Sequence, residues 1–217
     1  TSIDVKAGQT IHLPVKDDIT TNLWMKGEEG REIFSALSPM TEGLSRIKNM
    51  PYSIKDQPTL TFVAHQKGEA WNRPFVAVYE PSTLKETSCI ASVDYPQVKS
   101  DLLGSHVGIR VALTNGNVDW ILSSDENAHH CKLEKLQARA SYALCRQSEK
   151  GEALQAFLGN GTQLEADGVS IRTDAPADVL LLKQDGKWMY TATAPCRVVV
   201  GKKKYTLSVS KELRLLK

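Results

Sequence analysis

Residues 109–122 read Ile109-Arg-Val-Ala-Leu-Thr-Asn-Gly-Asn-Val-Asp-Trp-Ile-Leu122. Ile109, Val111 and Leu113 recur every second position with Arg110 between them, the pattern of a strand buried on one face. Asn115-Gly116 then breaks the run, and both residue types accept positive φ at little cost, so the segment predicts a tight antiparallel hairpin. Further strands of the same composition lie upstream, in Thr59-Leu-Thr-Phe-Val-Ala64 and Phe75-Val-Ala-Val-Tyr79. Downstream they come about every ten residues: Val169-Ser-Ile-Arg172, Asp178-Val-Leu-Leu-Leu-Lys183, Trp188-Met-Tyr-Thr191, Arg197-Val-Val-Val200 and Tyr205-Thr-Leu-Ser-Val209. Gly159-Asn160-Gly161, Ala166-Asp167-Gly168, Gln184-Asp185-Gly186 and Gly201-Lys202-Lys203-Lys204 supply turn signals that divide these runs. The spacing predicts an all-β protein, an antiparallel β-sandwich of stacked sheets. A parallel α/β fold would need helical segments between strands, and the sequence does not offer them.

Two stretches read less clearly. Residues 28–37 have the propensity for a short helix, but Gly27, Gly30 and Pro39 cut them so often that an ordered loop fits equally well. Residues 132–137 are ambiguous in the same way. A soft seam near Lys150-Gly151 divides the chain into a larger β-sandwich, residues 1–150, and a small antiparallel β domain, residues 151–217. Thr1 leads at once into Ile3-Asp4-Val5, sequence that already reads as folded, and this is read as a piece of a longer protein.

Composition narrows the function. The 217 residues are 41% hydrophobic and 24% charged, and 27 Lys and Arg against 25 Asp and Glu leave a net charge of +2. A field that weak gives no support for nucleic-acid binding. The longest apolar runs, residues 179–182 and 198–200, fall far short of the roughly 20 residues of a membrane-spanning helix, so no membrane span is expected. Cys89, Cys131, Cys145 and Cys196 are widely spaced without a Cys-x-x-Cys pair, which suits half-buried thiols or one disulfide.

No glycine-rich phosphate loop and no Gly-x-Ser-x-Gly elbow is present. His12, His65, His106, His129 and His130 lack the spacing of a metal site. His129-His130 beside Cys131 and Asp125 comes closest, but adjacent side chains on an extended chain point to opposite sides. No metal and no cofactor is therefore assigned. Trp24, Trp120 and Trp188 lie inside strand-like runs and read as core or edge aromatics. Lys202-Lys203-Lys204 reads as a solvated hairpin tip, and Asn160-Gly161-Thr162 fits the N-glycosylation pattern. The most distinctive stretch is His65-Gln-Lys-Gly-Glu-Ala-Trp-Asn-Arg-Pro74, which packs an imidazole, a carboxylate, an indole and a guanidinium into one connection between strands. Sugar rings stack their C–H faces on aromatic groups and need donors and acceptors for their hydroxyls, so His65, Glu69, Trp71 and Arg73 are the candidate substrate-binding residues. The structural alternative is that Trp71 caps the sandwich edge while Glu69 and Arg73 pair at the surface.

The block Asn22-Leu-Trp-Met-Lys-Gly-Glu-Glu-Gly-Arg-Glu-Ile-Phe-Ser-Ala36, followed by Thr59-Leu-Thr-Phe-Val-Ala-His-Gln-Lys-Gly-Glu-Ala-Trp-Asn-Arg-Pro-Phe-Val-Ala-Val-Tyr-Glu-Pro81, resembles the carboxy-terminal β-sheet region of heparinase II/III-like bacterial polysaccharide lyases. Asn117-Val-Asp-Trp-Ile-Leu-Ser-Ser-Asp125 resembles a further block of those proteins, and from residue 126 onward the fit is only general. The resemblance implies a parent with an amino-terminal α/α toroid that cleaves uronic-acid polysaccharides by β-elimination: a base removes the proton α to the carboxylate and the glycosidic oxygen leaves. It implies that the catalytic Tyr and His groups come largely from the toroid, so no catalytic residue is carried over, and the metal site of some relatives finds no match here. The expectation is a non-catalytic region of a secreted or periplasmic lyase that supports the toroid and walls the cleft for an acidic polysaccharide. Two alternatives stand beside it: an autonomous carbohydrate-binding sandwich using Trp71 and Arg73, and a complete small all-β lyase using His65, Glu69 and Tyr79.

Overall fold

At the hinge of the 109–122 segment, the Gly116 amide donates to the Leu113 carbonyl at 3.0 Å and the Leu113 amide donates to Asn117 at 2.8 Å. Only Gly116 has positive φ, at 83°. A type I turn closed by a left-handed glycine thus replaces the expected turn with both residues at positive φ, and the flanking strands pair as anticipated.

A computed structural model describes residues 2–4, 9–14, 19–38, 59–68, 73–102 and 104–217. The first strands are β1 (Ser2–Asp4), β2 (Gln9–Pro14), β3 (Ile19–Met25), β4 (Arg31–Ser38), β5 (Thr59–Gln66) and β6 (Ala77–Thr83). They form two antiparallel three-stranded sheets, in the orders β1-β4-β5 and β2-β3-β6. Next come β7 (Ile90–Asp94), β8 (Lys99–Ser100), β9 (His106–Leu113), β10 (Val118–Ser124), β11 (His130–Leu133) and β12 (Leu136–Gln147). The chain ends with β13 (Ala153–Ala166), β14 (Val169–Gln184), β15 (Lys187–Ala192), β16 (Cys196–Val200), β17 (Lys203–Leu207) and β18 (Ser210–Leu215). These last twelve strands belong to one hydrogen-bonded antiparallel system, and no helix occurs among the described residues.

Three long strands make that system a sandwich. β12 pairs with β11 through residues 136–139 and with β10 through residues 142–147. β14 pairs with β16 through residues 169–173 and with β15 through residues 179–184. Between these halves the register of β12, β13 and β14 shifts at Ala140, Gly161 and the residues after Arg172. Each strand bends there from one layer into the other, the way bulges turn corners between packed sheets. The layers face each other across one core that includes Leu122, Leu158 and Leu181 from one side and Leu133, Leu164 and Ile171 from the other, all fully buried. At about 1.5–3 kcal/mol for each such side chain, this burial dominates the favourable side of folding. Trp120 and Trp188 pack against this core as expected. The four thiols are free, three of them buried and Cys89 exposed.

The bend corrects two sequence expectations. Gly159-Asn160-Gly161 is not a hairpin turn but the crease of β13, and the two runs 169–172 and 178–183 are halves of the single strand β14. A Cβ on Gly161 would lie 2.4 Å from the Ala140 Cβ and 2.6 Å from the Arg139 carbonyl oxygen. The Thr173 hydroxyl donates to the Gly161 carbonyl at 3.0 Å, closing the crease from β14. Asn160 holds φ at 46° while its side-chain amide donates to the Ser141 hydroxyl at 3.0 Å. Residues 28–37 correct the helix reading, because β4 begins at Arg31 and pairs with β5 from Arg31↔Gln66 to Ser38↔Thr59. Residues 132–137 are the β11–β12 hairpin, with Glu134 at φ 52°. Lys150-Gly151 lies in the turn between β12 and β13, which pair along their length.

Two buried polar side chains tie the small sheets in. Arg31, with no exposed surface, donates to the carbonyls of Lys26 at 3.1 Å and Arg73 at 3.0 Å and lies 4.5 Å from the Phe75 ring centre. Glu80 on β6 accepts hydrogen bonds from the Ser88 hydroxyl and the amides of Cys89 and Ile90, each at 2.8 Å, and so fastens the β2-β3-β6 sheet to the start of β7. Burial alone pushes this carboxyl up, but the hydrogen bonds from Ile90, Ser88, Asn22 and Cys89 outweigh it and hold the group below the ordinary glutamate value.

Gly161→Ala is expected to cost about 1–3 kcal/mol in urea unfolding, through overpacking at the crease; a loss below about 0.5 kcal/mol would contradict the close approach. Glu80→Gln is expected to cost about 1.5–3 kcal/mol near neutral pH. Because the folded state depresses this pKa, its contribution is full above the ordinary glutamate value of about 4.3 and is lost as pH falls through the folded value. Denaturant titrations across that window should therefore show a shallower acid branch for Glu80→Gln than for the parent chain.

Candidate functional site

The β9–β10 hairpin places Ser124 directly opposite His106, so the end of one strand and the beginning of the other meet. Beyond them, residues 101–102 and 104–105 lie beside the 125–129 loop at the same end of the sandwich. Asp125 joins the loops: its Oδ2 accepts the Ser105 amide at 2.9 Å, and its own amide donates to the Ser105 carbonyl at 3.1 Å. Asp101 makes a second join, accepting the His130 amide at 2.9 Å, with Arg139 at 3.4 Å from its other oxygen.

His106, Asp125 and His129 converge inside this frame, each offering one ligand atom, and these atoms lie within 4.8 Å of one another. The two imidazole rings meet edge to face, 5.1 Å between centres. His106 is held by the Ser124 hydroxyl at Nδ1, 3.2 Å away, and by the Leu102 carbonyl at Nε2, 3.3 Å away. His129 is 5% exposed, and its Nδ1 has no hydrogen-bond partner, although the Asp125 Oδ1 lies 3.8 Å away. The Ser105 amide holds the Asp125 carboxyl below the usual carboxylate range against the opposing effect of burial, and the charges of His106 and His129 act the same way. Gly104 completes the cradle: a Cβ there would stand 2.7 Å from the His129 ring and 2.9 Å from Asp125.

The residues fit a divalent metal ion. Two imidazoles and one ionised carboxylate are donors that suit zinc, leaving a coordination position open. A buried imidazole nitrogen without a partner is costly, and an ion would satisfy it. Four-coordinate ligand atoms stand about 3.4 Å apart at bonds near 2.0–2.1 Å, so the three side chains would close by about an ångström. Burial pushes the Cys131 thiol up; it donates to the Ser100 hydroxyl at 3.7 Å and touches His106 Nδ1 at 3.5 Å, so it serves as a packing neighbour of the cluster.

Sequence spacing missed this set because His106 stands far from Asp125 and His129 along the chain. The available signal was the Asn115-Gly116 turn, since residues counted outward from it bring 106 and 124 to the same end. Of the cluster weighed from sequence, Asp125 and His129 remain, while His130 enters β11 opposite Arg139.

The sequence-derived sugar-contact residues lie elsewhere. His65 on β5 is opposite Glu32, 3.9 Å from its carboxylate, with 53% of its side chain exposed. The Arg73 guanidinium donates to the Lys67 carbonyl at 3.4 Å, and its own carbonyl receives Arg31, so Arg73 clasps the connection. Glu69 and Trp71 lie outside the described residues. Tyr79 on β6 is exposed.

No protein-family model matches the chain. It is similar to an endo-acting ulvan lyase of Formosa agariphila, 25% identical over 182 residues, a match that covers 79% of this chain and 21% of that protein. The chain thus spans about a fifth of the length of the curated relative it matches. It is an all-β region related to a polysaccharide lyase.

Zinc added to the metal-free chain is expected to raise its melting temperature, equivalent to about 2.7 kcal/mol when free zinc is about 100-fold above its dissociation constant. His129→Ala and Asp125→Ala should abolish the shift, and cobalt(II) should give visible absorption of a low-coordinate site in the parent chain only. Equal responses in all three proteins would dismiss the centre.

Proposed function

We propose that this chain is the sheet region of a heparinase II/III-like polysaccharide lyase, in which it supports a catalytic α/α toroid and walls the cleft for a uronic-acid polysaccharide. The observation that carries the reading is the similarity to an endo-acting ulvan lyase along 79% of the chain. In β-elimination the carboxylate of a uronate acidifies the proton α to it, so the substrate is an acidic polysaccharide. Such a substrate is met outside the cytoplasm, which makes the protein secreted or periplasmic. The absence, among the described residues, of a helix long and apolar enough to span a membrane agrees with that location without touching the question of strands.

The large sheet supports a structural role. Ile109, Ile121, Leu144, Phe157 and Leu180 stand opposite one another across five strands, on the face turned away from the core. All five are half-buried rather than buried. A continuous apolar row of this kind favours a docked neighbour, and the neighbour proposed is a toroid of the parent protein; the match covers 21% of the relative, which leaves room for such a domain. The metal centre then acts as a rivet: by joining His106 at the start of β9 to Asp125 and His129 in the 125–129 loop, it would hold one end of the sandwich in a fixed shape. His65, Glu69, Trp71 and Arg73 contribute sugar contacts.

The pure chain incubated with uronate polysaccharides should give no rise in the ultraviolet absorbance of unsaturated product, whereas the complete parent polypeptide should. Phe157→Asp should lower turnover of the complete polypeptide at least tenfold while leaving the fold of the isolated chain intact by circular dichroism. Sustained turnover by the pure chain, or full turnover by the substituted parent, would overturn the supporting role.

A further inference from the structure

A cavity of about 540 Å³ opens at the side of the sandwich where β17 and β18 end the two layers. Its wall includes Tyr190, Thr206, Ser208, Arg214, Leu215 and Lys217. Arg214 is the unusual member. It stands directly across from Tyr190, which is 6% exposed and part of the core, so its register position is on the core-facing side of β18. Arg214 nevertheless has no ion-pair or side-chain hydrogen-bond partner among the described residues, and it is exposed. A guanidinium in that position presents a planar set of donors into the cavity, suited to a carboxylate or another oxyanion. Lys217 adds a second cation, Thr206 and Ser208 bring hydroxyls, and Leu215 brings an apolar surface that is 41% exposed.

We propose that this cavity is a binding subsite for one oxyanion-bearing sugar residue of a polysaccharide chain. The volume falls within the range of small-molecule sites. The lining matches the parts of a charged pyranose: Arg214 and Lys217 take the oxyanion, Thr206 and Ser208 exchange hydrogen bonds with ring hydroxyls, and Leu215 covers a C–H face. The substrate class rests on the lyase reading above, while the site itself rests on the cavity and on Arg214. A carboxylate and a sulfate ester present the same chemistry to Arg214. The competing explanation for an inward-placed charge on an edge strand is protection against pairing with another chain.

Calorimetric titration of the 217-residue chain with a galacturonate hexamer, a sulfated galactan hexamer and an uncharged glucan hexamer separates these possibilities. At least one charged hexamer should bind, and which one binds identifies the oxyanion; the glucan should not. Arg214→Ala should weaken that binding at least tenfold, Arg214→Lys should restore part of it, and added salt should weaken it in the parent chain more than in Arg214→Ala. Unchanged affinity in Arg214→Ala, equal affinity for the glucan, or no binding of either charged hexamer would overturn the subsite. So would self-association of Arg214→Ala with its sugar affinity intact, the mark of edge protection. Turnover by the complete polypeptide tests the lyase reading separately, so loss of the subsite with turnover retained removes this proposal alone.

Discussion

The close passage of the β13 backbone over β12 at Gly161 is the constraint on which the large sheet system depends. With the Ala140 Cβ only 2.4 Å from where a side chain would begin, the site has room for hydrogen and nothing larger. That contact lets β12, β13 and β14 turn together, and the turn is what brings Leu133 and Ile171 opposite Leu122 and Leu181. The core thus comes from folding one hydrogen-bonded surface over itself, with β9, β10 and β15 extending one layer and β11, β16 and β17 the other. The candidate metal centre inherits its position from the same construction: the loop that carries Asp125 and His129 leaves β10 on one layer and enters β11 on the other, and His106 opens β9 beside β10.

Polar groups do the joining where apolar burial is thin. Glu80 collects two backbone amides and a hydroxyl on one carboxylate oxygen, and Arg31 collects carbonyls from two separate loops. In both cases hydrogen bonds hold a buried charge, which fixes direction as well as proximity, and at Arg31 the charge of Glu28 adds to them. At the Asp125–Ser105 and Asp101–His130 pairs the same device recurs on the loops, with carboxylates accepting backbone amides. Connections of this sort explain how a protein with no described helix holds irregular segments in place beside its sheets.

Much of the fold was legible because period-two alternation and glycine turns are local. Residues 109–122 reveal their hairpin without help from the rest of the chain, and the Asp167-Gly168 and Asp185-Gly186 turns fall where the sequence puts them. Gly159-Asn160-Gly161 misled because a glycine required by a close approach has the same letters as one required by a turn; only the partner at Ala140 distinguishes them. Arg31-Glu-Ile-Phe34 misled because helix propensity weighed more than the pairing with β5, a contact 35 residues away at Gln66. The metal cluster was half legible. Asp125 and His129 stand in one loop, but His106 joins them through strand register, which periodicity alone does not supply. Arg214 gave no signal at all, since an arginine within an exposed charged strand looks like any other surface residue until its cross-strand partner is known.

The three long strands also constrain how related sequences can differ in length. Since alternate residues face opposite sides, one added residue before the crease of β13 or β14 would turn the apolar set of half the strand outward, and the next strand would inherit the error. Insertions and deletions in homologues should therefore collect at hairpin tips such as Lys150-Gly151, Asp167-Gly168 and Asp185-Gly186, leaving the spacing from each tip to the crease unchanged. An alignment anchored on that spacing would locate this region in chains too divergent for identity to find.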